Sequence, residues 1–160
     1  MKKQITFATY EVDVDSSTVE FVKQIEPNFF RYQPKELIKT LFSSAKKFHP
    51  NCRTVVLSNE NTEFSDLSND TEVVRYNLNT HHLTLSRTQA QVNFLKQSKG
   101  NSHLVFLDSD MLIQSNLENL FDQPFDIALT LRQHDMPING GLIIVNAFGY
   151  QAACHFMDKV

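Results

Sequence analysis

Two aspartates, Asp108 and Asp110, carry the most specific chemistry in the sequence. They follow the apolar run Leu-Val-Phe-Leu at residues 104–107 and precede a second apolar run at 111–113. Carboxylate oxygens suit Mg²⁺ or Mn²⁺, which usually keep water or phosphate oxygens as their remaining ligands. Two carboxylates about 6 Å apart in a shielded cleft repel each other by roughly 3 kcal/mol at an effective dielectric near 20, and a cation would remove that cost. The pattern therefore predicts a divalent-metal site that could hold a diphosphate.

The competing interpretation is an exposed turn, in which Asp108 caps the next segment and Asp110 is only hydrated. The spacing alone is weak evidence, because Asp13 and Asp15 repeat it. The preceding apolar strand distinguishes the two pairs, since open α/β sheets bind ligands at the carboxyl ends of their strands. We therefore expect the site at residues 108–110 and not at 13–15.

The elements that must position these aspartates alternate along the chain. Short β-branched, aliphatic or aromatic runs bounded by polar residues predict strands at residues 5–10, 53–58, 72–76, 103–107, 125–131 and 141–145. Apolar stripes predict one helix from Pro34 to Phe48 and another over residues 86–99, with Gly100 as a left-handed stop. A capping-box pattern at residues 115–118 predicts a short helix after the aspartates. This alternation predicts an α/β domain with a largely parallel sheet.

Size and composition narrow the function classes. The 160 residues suit one domain, and 18 acidic against 15 basic residues leave a net charge of -3. That charge offers no long-range attraction to nucleic acid or to an anionic membrane, so an anionic ligand must be held locally. No apolar stretch is long enough for a signal peptide or a membrane span, which favours a cytoplasmic protein. Cys52 and Cys154 are expected to be reduced thiols.

The last residues predict an unfinished element. Residues 147–160 have a helical pattern without a terminal Gly, Pro or turn signal. We expect the chain to be truncated at its C-terminus, and the alternative is a frayed terminal helix in a complete domain.

Two motifs resemble GT-A-type glycosyltransferases, particularly family 8, whose members use nucleotide-diphosphate sugars. Residues 104–113, followed by Leu117, Leu120 and Phe121, resemble the family's Asp-x-Asp segment, and residues 137–146 resemble its Phe-Asn-Ala-Gly-Val strand. The motifs occur in the family's order, about 30 residues apart. The resemblance implies one GT-A (Rossmann-like) nucleotide-sugar-binding domain over residues 1–160. It also implies transfer of a sugar, from a UDP-sugar by preference, to an acceptor hydroxyl such as that of a carbohydrate, with Mn²⁺ or Mg²⁺ as cofactor.

The resemblance assigns roles to matching residues. Asp110 would bind the metal, Asp108 would contact the metal or the ribose, and Ser109 lies between them in the donor site. Arg87 matches an arginine that approaches the donor in the family. Independently, a guanidinium can pair with phosphate in bidentate fashion. The other interpretation of Arg87 is an ordinary solvated helix residue.

Two further segments carry roles over from the family. Asn139 would bond the sugar near the reacting carbon, with Gly140 and Gly141 allowing close backbone approach, unless the three form only a tight turn. The last residues of the first strand match the region that holds the base and ribose: Ala8, Thr9 and Tyr10. Tyr10 could stack on a base or be a core or rim aromatic.

The chain also departs from the family pattern. A histidine that completes the family's metal shell has no counterpart in His49, His134 or His155, and Glu11 and Asp13 are rough substitutes for an acidic residue after the first strand. The site is therefore expected to lack a ligand, and the chain could be inactive as it stands.

Two other functions stay open. Haloacid-dehalogenase-like phosphatases also place two aspartates two residues apart after an apolar run. Their motif normally follows the first strand and continues into Thr or Val, whereas Met111 follows here. The non-enzymatic alternative is a nucleotide- or sugar-binding fragment.

Overall fold

A six-stranded sheet with helices on both faces makes up the part of the chain that the computed structural model describes, residues 3–13, 34–78, 82–131, 133 and 138–159. The strands are β1 Ile5–Tyr10, β2 Arg53–Asn59, β3 Thr71–Tyr76, β4 His103–Leu107, β5 Ile127–Leu131 and β6 Ile138–Val145. The helices are α1 Pro34–Phe48, α2 Leu83–Ser98 and α3 Tyr150–Met157. None of these helices is long and apolar enough to cross a membrane.

The order of the strands is β3-β2-β1-β4-β6-β5, so β1 lies between β2 and β4. Strands β1 to β4 pair in parallel, while β6 runs antiparallel to both β4 and β5. The predicted α/β domain with a largely parallel sheet is thus confirmed, with one reversed strand. The chain leaves β1 in one direction toward β2 and returns on its other side as β4, which makes the carboxyl ends of β1 and β4 a topological switch point.

Strand β4 is the centre of both apolar layers, and all five of its residues are buried. Leu104 and Phe106 face the cluster that contains α2 and α3, while Val105 and Leu107 face the cluster that contains α1. An uninterrupted apolar strand is stable only when both faces are covered. Polar residues are therefore confined to the two ends of β4.

Several boundaries differ from the sequence prediction. Helix α2 begins three residues before the predicted start and ends at Ser98. The next two residues, Lys99 and Gly100, are left-handed, with φ of 50° and 68°. Strand β6 begins at Ile138, three residues before the predicted start. Three of its residues form a bulge that the sequence pattern does not mark. Strand β5 begins at Ile127, later than predicted.

Two helix-end predictions were wrong. The segment Glu118–Asp122 is a 3-10 helix, and its first N–H is accepted by the Asn116 side chain at 2.7 Å, not by a capping box from Ser115. Helix α3 stops at Met157, where the N–H of Asp158 still bonds the Cys154 carbonyl at 3.0 Å, and residue 160 lies outside the described residues. The expectation that the helix continues through the end is therefore not met at residues 158–159.

Helix α1 anchors the segment that follows the two aspartates. The Ser44 hydroxyl donates to the Leu41 carbonyl at 2.6 Å and accepts the N–H of Ile113 at 2.9 Å. Further along, the N–H of Leu117 donates to Nε2 of the buried His49 at 3.1 Å. Ile113 itself is buried in the cluster beneath α1. The main chain of the segment is thus bonded to a side chain of α1 and to the residue that follows this helix.

We expect Ser44→Ala to lower the free energy of unfolding by about 1 kcal/mol, because the Ile113 N–H loses its partner. Thr40→Ala is the matched control, since the Thr40 hydroxyl also bonds a carbonyl of α1, that of Glu36, but is exposed. Its effect should stay within about 0.5 kcal/mol. Urea denaturation of both variants measures the difference, and equal effects would show that the Ile113 anchor does not contribute.

Candidate functional site

Asp108 begins a turn at the carboxyl end of β4. Its N–H donates to the Gly141 carbonyl at 2.9 Å, one residue beyond the β4–β6 ladder, and its carbonyl accepts the N–H of Met111 at 3.2 Å. Asp108 and Ser109 are half-buried, whereas Asp110 is exposed. The turn therefore presents one carboxylate at the sheet edge and the other to solvent.

Arg87 forms an ion pair with Asp108. From the second turn of α2, its Nη1 donates to Oδ1 of Asp108 at 2.8 Å, and the two side chains are 27% and 41% exposed. The two residues are 21 positions apart, and the resemblance had assigned both to the donor site. Arg87 is thus not merely a solvated helix residue, since it supplies positive charge where the net-acidic chain places its aspartate.

A bulge in β6 brings Asn139 and the two glycines against this pair. Leu129 pairs with Ile143, but the next residue, Thr130, pairs with Asn139, so three residues of β6 have no counterpart on β5. The Thr130 hydroxyl donates to the Asn139 carbonyl at 3.0 Å. The Asn139 side-chain oxygen accepts the Gly141 N–H at 3.1 Å. The segment is therefore a bulged part of β6 and not the tight turn that was the alternative interpretation.

The glycines leave room for the two charged side chains. A Cβ at Gly140 would lie 2.9 Å from Nη2 of Arg87. A Cβ at Gly141 would lie 2.5 Å from Oδ2 of Asp108 and 3.3 Å from the Asn139 side-chain oxygen. The first contact is with the end of a flexible side chain, whereas the second is with a short carboxylate that is already held by Arg87. Gly141 is thus the more constrained position.

The last residues of β1 line the other side of the switch point. The Ala8 side chain is fully buried in the core, so only its main chain could contact a ligand. The Thr9 hydroxyl is buried and has no hydrogen-bond partner among the described residues. Tyr10 packs against the α2 side of the core, and burial raises the pKa of its phenol while the neighbouring Ser86 lowers it. Tyr10 is thus an aromatic at the rim of the core, and the ligand roles of Ala8, Thr9 and Tyr10 stay predictions.

Glu11 is the site feature that sequence reasoning rated too low. It follows β1 directly, and its N–H donates to the Leu57 carbonyl at 3.0 Å. Burial, followed by the nearby charge of Asp13, raises the pKa of the Glu11 carboxyl to about 7, although Lys35 acts in the opposite direction. The sequence placed an acid here without any signal of its burial. A carboxyl in this state exchanges its proton near neutral pH at the same sheet edge as Asp108.

The residues fit a hard divalent cation, although incompletely. Asp108 and Asp110 supply oxygen donors, and the absent side chain at Gly141 leaves space beside Oδ2 of Asp108. Among the described residues, no group of three or more His, Cys, Asp or Glu side chains could hold a metal ion. His49 lies at the opposite edge, His155 is exposed on α3, and His134 falls outside the described residues. A cation here would thus take its remaining ligands from water or a phosphate.

A separate cavity lies at the amino ends of the strands. Its volume is about 580 Å³, and its lining includes Lys3, His103, Asp122 and Phe148. Ile5 and His103, the first residues of β1 and β4, border it. It is therefore at the opposite edge of the sheet from Asp108 and takes no part in the predicted site.

Solved structures with a similar fold include glycosyltransferases. An active-site mutant of LgtC aligns with 96% of this chain and 64% of its own, at 13% identity and a TM-score of 0.56. The bifunctional glycosyltransferase WbbM aligns with 98% of this chain and 34% of its own, at 14% identity and a TM-score of 0.57. GlyE of Streptococcus pneumoniae aligns with 99% of this chain and 37% of its own, at 15% identity and a TM-score of 0.50.

The chain has a GT-A glycosyltransferase fold. The resemblance read from the two motifs is thus confirmed at the level of the fold, and the chain spans less than two thirds of the length of LgtC. No protein-family model matches the sequence. No curated protein matches it either. Within the GT-A fold, the Arg87–Asp108 pair and the β6 bulge occupy the switch point between β1 and β4.

Gly141→Ala should destabilise the protein by about 1–3 kcal/mol, because the new methyl group must displace the Asp108 carboxylate or the bulge. Gly140→Ala should cost less than about 1 kcal/mol, because the end of the Arg87 side chain can move away. Chemical denaturation of both variants tests this difference. A greater loss for Gly140→Ala would contradict the assignment of Gly141 as the constrained position.

Glu11→Gln should stabilise the protein at alkaline pH. A carboxyl whose pKa rises from 4.5 to about 7 on folding contributes stability that is present below pH 4.5 and lost as the pH rises through 7. Removing the charge should recover up to about 3 kcal/mol above pH 8 and almost nothing at pH 4.5. Denaturation between pH 4.5 and 8.5 measures the difference, with the exposed Glu60→Gln as control. If the difference in unfolding free energy between Glu11→Gln and wild type does not grow with pH, the raised pKa of Glu11 is refuted.

Proposed function

We propose that this chain is the donor-binding part of a metal-dependent glycosyltransferase that takes a sugar from a nucleotide diphosphate, with UDP-sugars as the favoured donors. The observation that carries the proposal is the Arg87–Asp108 pair beside the glycines of β6, at the switch point of a GT-A fold. In open α/β sheets this is the position at which nucleotides bind. A hydroxyl, of a carbohydrate for example, would be the acceptor.

The proposal assigns Mn²⁺ or Mg²⁺ to Asp110 and Asp108. When bound, such an ion neutralises negative charge on the diphosphate leaving group as the bond to the sugar breaks. The half-buried Asp108 and the exposed Asp110 offer donors of the type these ions prefer. Because the chain carries a net charge of -3 and Arg87 pairs with only one of the two carboxylates, a diphosphate would be repelled here without a cation.

The chain's own groups would position the donor. The Arg87 guanidinium, 27% exposed beside Asp108, can bond phosphate oxygens through two parallel N–H groups. Asn139 precedes Gly140, the residue next to Arg87, and its amide group could bond a sugar hydroxyl. The proposal assigns the ribose or base to the end of β1, where the main chain of Ala8 and the buried Thr9 hydroxyl, which has no partner among the described residues, are available.

The phosphatase alternative is less well supported. Its aspartates would follow the first strand, whereas here they follow β4 and Asp108 is engaged by Arg87. An ion-paired carboxylate is a weaker nucleophile than a free one. Hydrolysis of a simple aryl phosphate would favour the phosphatase, and nucleotide binding without donor turnover would favour a binding module.

We expect calorimetric titration with UDP to give binding in Mn²⁺ and at least tenfold weaker binding in excess chelator, because the aspartates repel the diphosphate when no cation is present. Asp110→Asn should abolish the metal-dependent part of the affinity. Because the Asp110 side chain is exposed, we expect this variant to fold like wild type, and thermal unfolding checks that it does.

The paired substitution Asp13→Asn with Asp15→Asn is the matched control, since this pair has the same spacing without a four-residue apolar run directly before it. It should leave the metal dependence intact. Equal affinity with and without cation would refute the metal-dependent donor site. Loss of metal binding only in the Asp13 and Asp15 variant would mean that the site is at the other pair.

A further inference from the structure

We propose that Arg87 competes with the divalent cation for Asp108 and is released to the diphosphate when the nucleotide binds, so that metal and nucleotide bind cooperatively. This inference rests on the proposed donor site and describes how that site is regulated. It makes Arg87 a switch between an intramolecular partner and a ligand.

The first step is the bond that the pair forms within the protein. Nη1 of Arg87 donates to Oδ1 of Asp108 at 2.8 Å, with the two side chains 27% and 41% exposed. The other carboxylate oxygen, Oδ2, faces Gly141. Oδ1 of Asp108 is therefore taken by the guanidinium while Oδ2 lies beside the space at Gly141, and the negative charge that a cation would use is already compensated by Arg87.

The second step is the cost of bringing a cation to the same carboxylate. A divalent ion on Asp108 would lie a few ångströms from the Arg87 guanidinium, and like charges at such separations repel strongly in a partly shielded site. Either the ion pair breaks or the cation binds against that repulsion. In both cases Arg87 weakens the binding of a cation that arrives alone.

The third step is the new partner that a nucleotide offers. A diphosphate presents oxygens in the geometry that a guanidinium pairs with, so Arg87 can exchange its carboxylate for phosphate. The backbone of Gly140 leaves the other guanidinium nitrogen, Nη2, room to move, since no Cβ stands in its way. Nucleotide binding then removes the competitor from Asp108, and by linkage the cation strengthens nucleotide binding by the same factor.

Arg87→Met tests the idea because it keeps the apolar stem and removes the charge. We expect it to bind Mn²⁺ alone about tenfold more tightly than wild type, and UDP in saturating Mn²⁺ about tenfold more weakly. The factor by which Mn²⁺ raises the affinity for UDP should therefore fall. Arg87→Lys should lie between Arg87→Met and wild type for Mn²⁺ alone, since it keeps the charge but not the forked geometry.

Arg75→Met is the control for the change in net charge. Arg75 lies near the end of β3 at the same edge of the sheet, but its Nη1 donates to the carbonyls of Asn59 and Thr62 at 2.7 and 2.8 Å and not to a carboxylate. The loss of Arg75 should change Mn²⁺ affinity less than twofold, because its exposed charge is screened by salt. Thermal unfolding of each variant confirms that the protein titrated is folded.

The outcomes separate this inference from the proposed function. Tighter Mn²⁺ binding combined with weaker UDP binding in Arg87→Met, and neither change in Arg75→Met, would support it. If wild type binds UDP only with Mn²⁺ while Arg87→Met binds Mn²⁺ equally or more weakly, the competition is refuted and the donor site stands. If wild type binds no UDP with Mn²⁺, both are refuted.

Discussion

The hydrogen bond from the Asp108 N–H to the Gly141 carbonyl, 2.9 Å long, is the contact on which the arrangement of the site depends. It extends the β4–β6 pairing one residue past the end of β4. The residues of β6 that are bonded to β4 at this point are the ones that bulge away from β5, so the bulge lies against the turn of the aspartates. Asn139 and the glycines thus meet Asp108 through main-chain geometry, and only then does Arg87 complete the group from α2.

The burial of β4 explains why the charged groups are at this edge. A strand with both faces in the core cannot carry polar side chains without partners, so its carboxyl end is the first place where carboxylates can reach solvent. The positions of β1 and β4 as neighbours bring Glu11 and Asp108 to the same edge. At this edge burial, with Asp13 adding to it, raises the pKa of the Glu11 carboxyl, while Arg87 pairs with Asp108.

Local sequence patterns predicted the strands and helices but not how these elements and their side chains pair. Strands β1 and β4 were predicted to the residue, because short apolar runs bounded by polar residues are unambiguous, and α1 was predicted from its apolar stripe and Pro34. The reversal of β6 was not predicted, since periodicity does not record strand direction. The bulge was missed because a glycine pair equally indicates a turn. The burial of Glu11 and the bond between Arg87 and Asp108 arise from residues distant in sequence, which single-segment patterns do not contain.

The bulge shows how a weak strand can be tolerated at a site that needs space. Glycine within a strand loses more backbone entropy than other residues and offers no side chain to pack. Side-chain bonds offset that cost, because Thr130 holds the Asn139 carbonyl and Asn139 holds the Gly141 N–H. A larger residue at position 141 would fit the strand better by propensity, but its Cβ would lie 2.5 Å from the Asp108 carboxylate. The space that the charged pair requires therefore outweighs strand propensity at position 141.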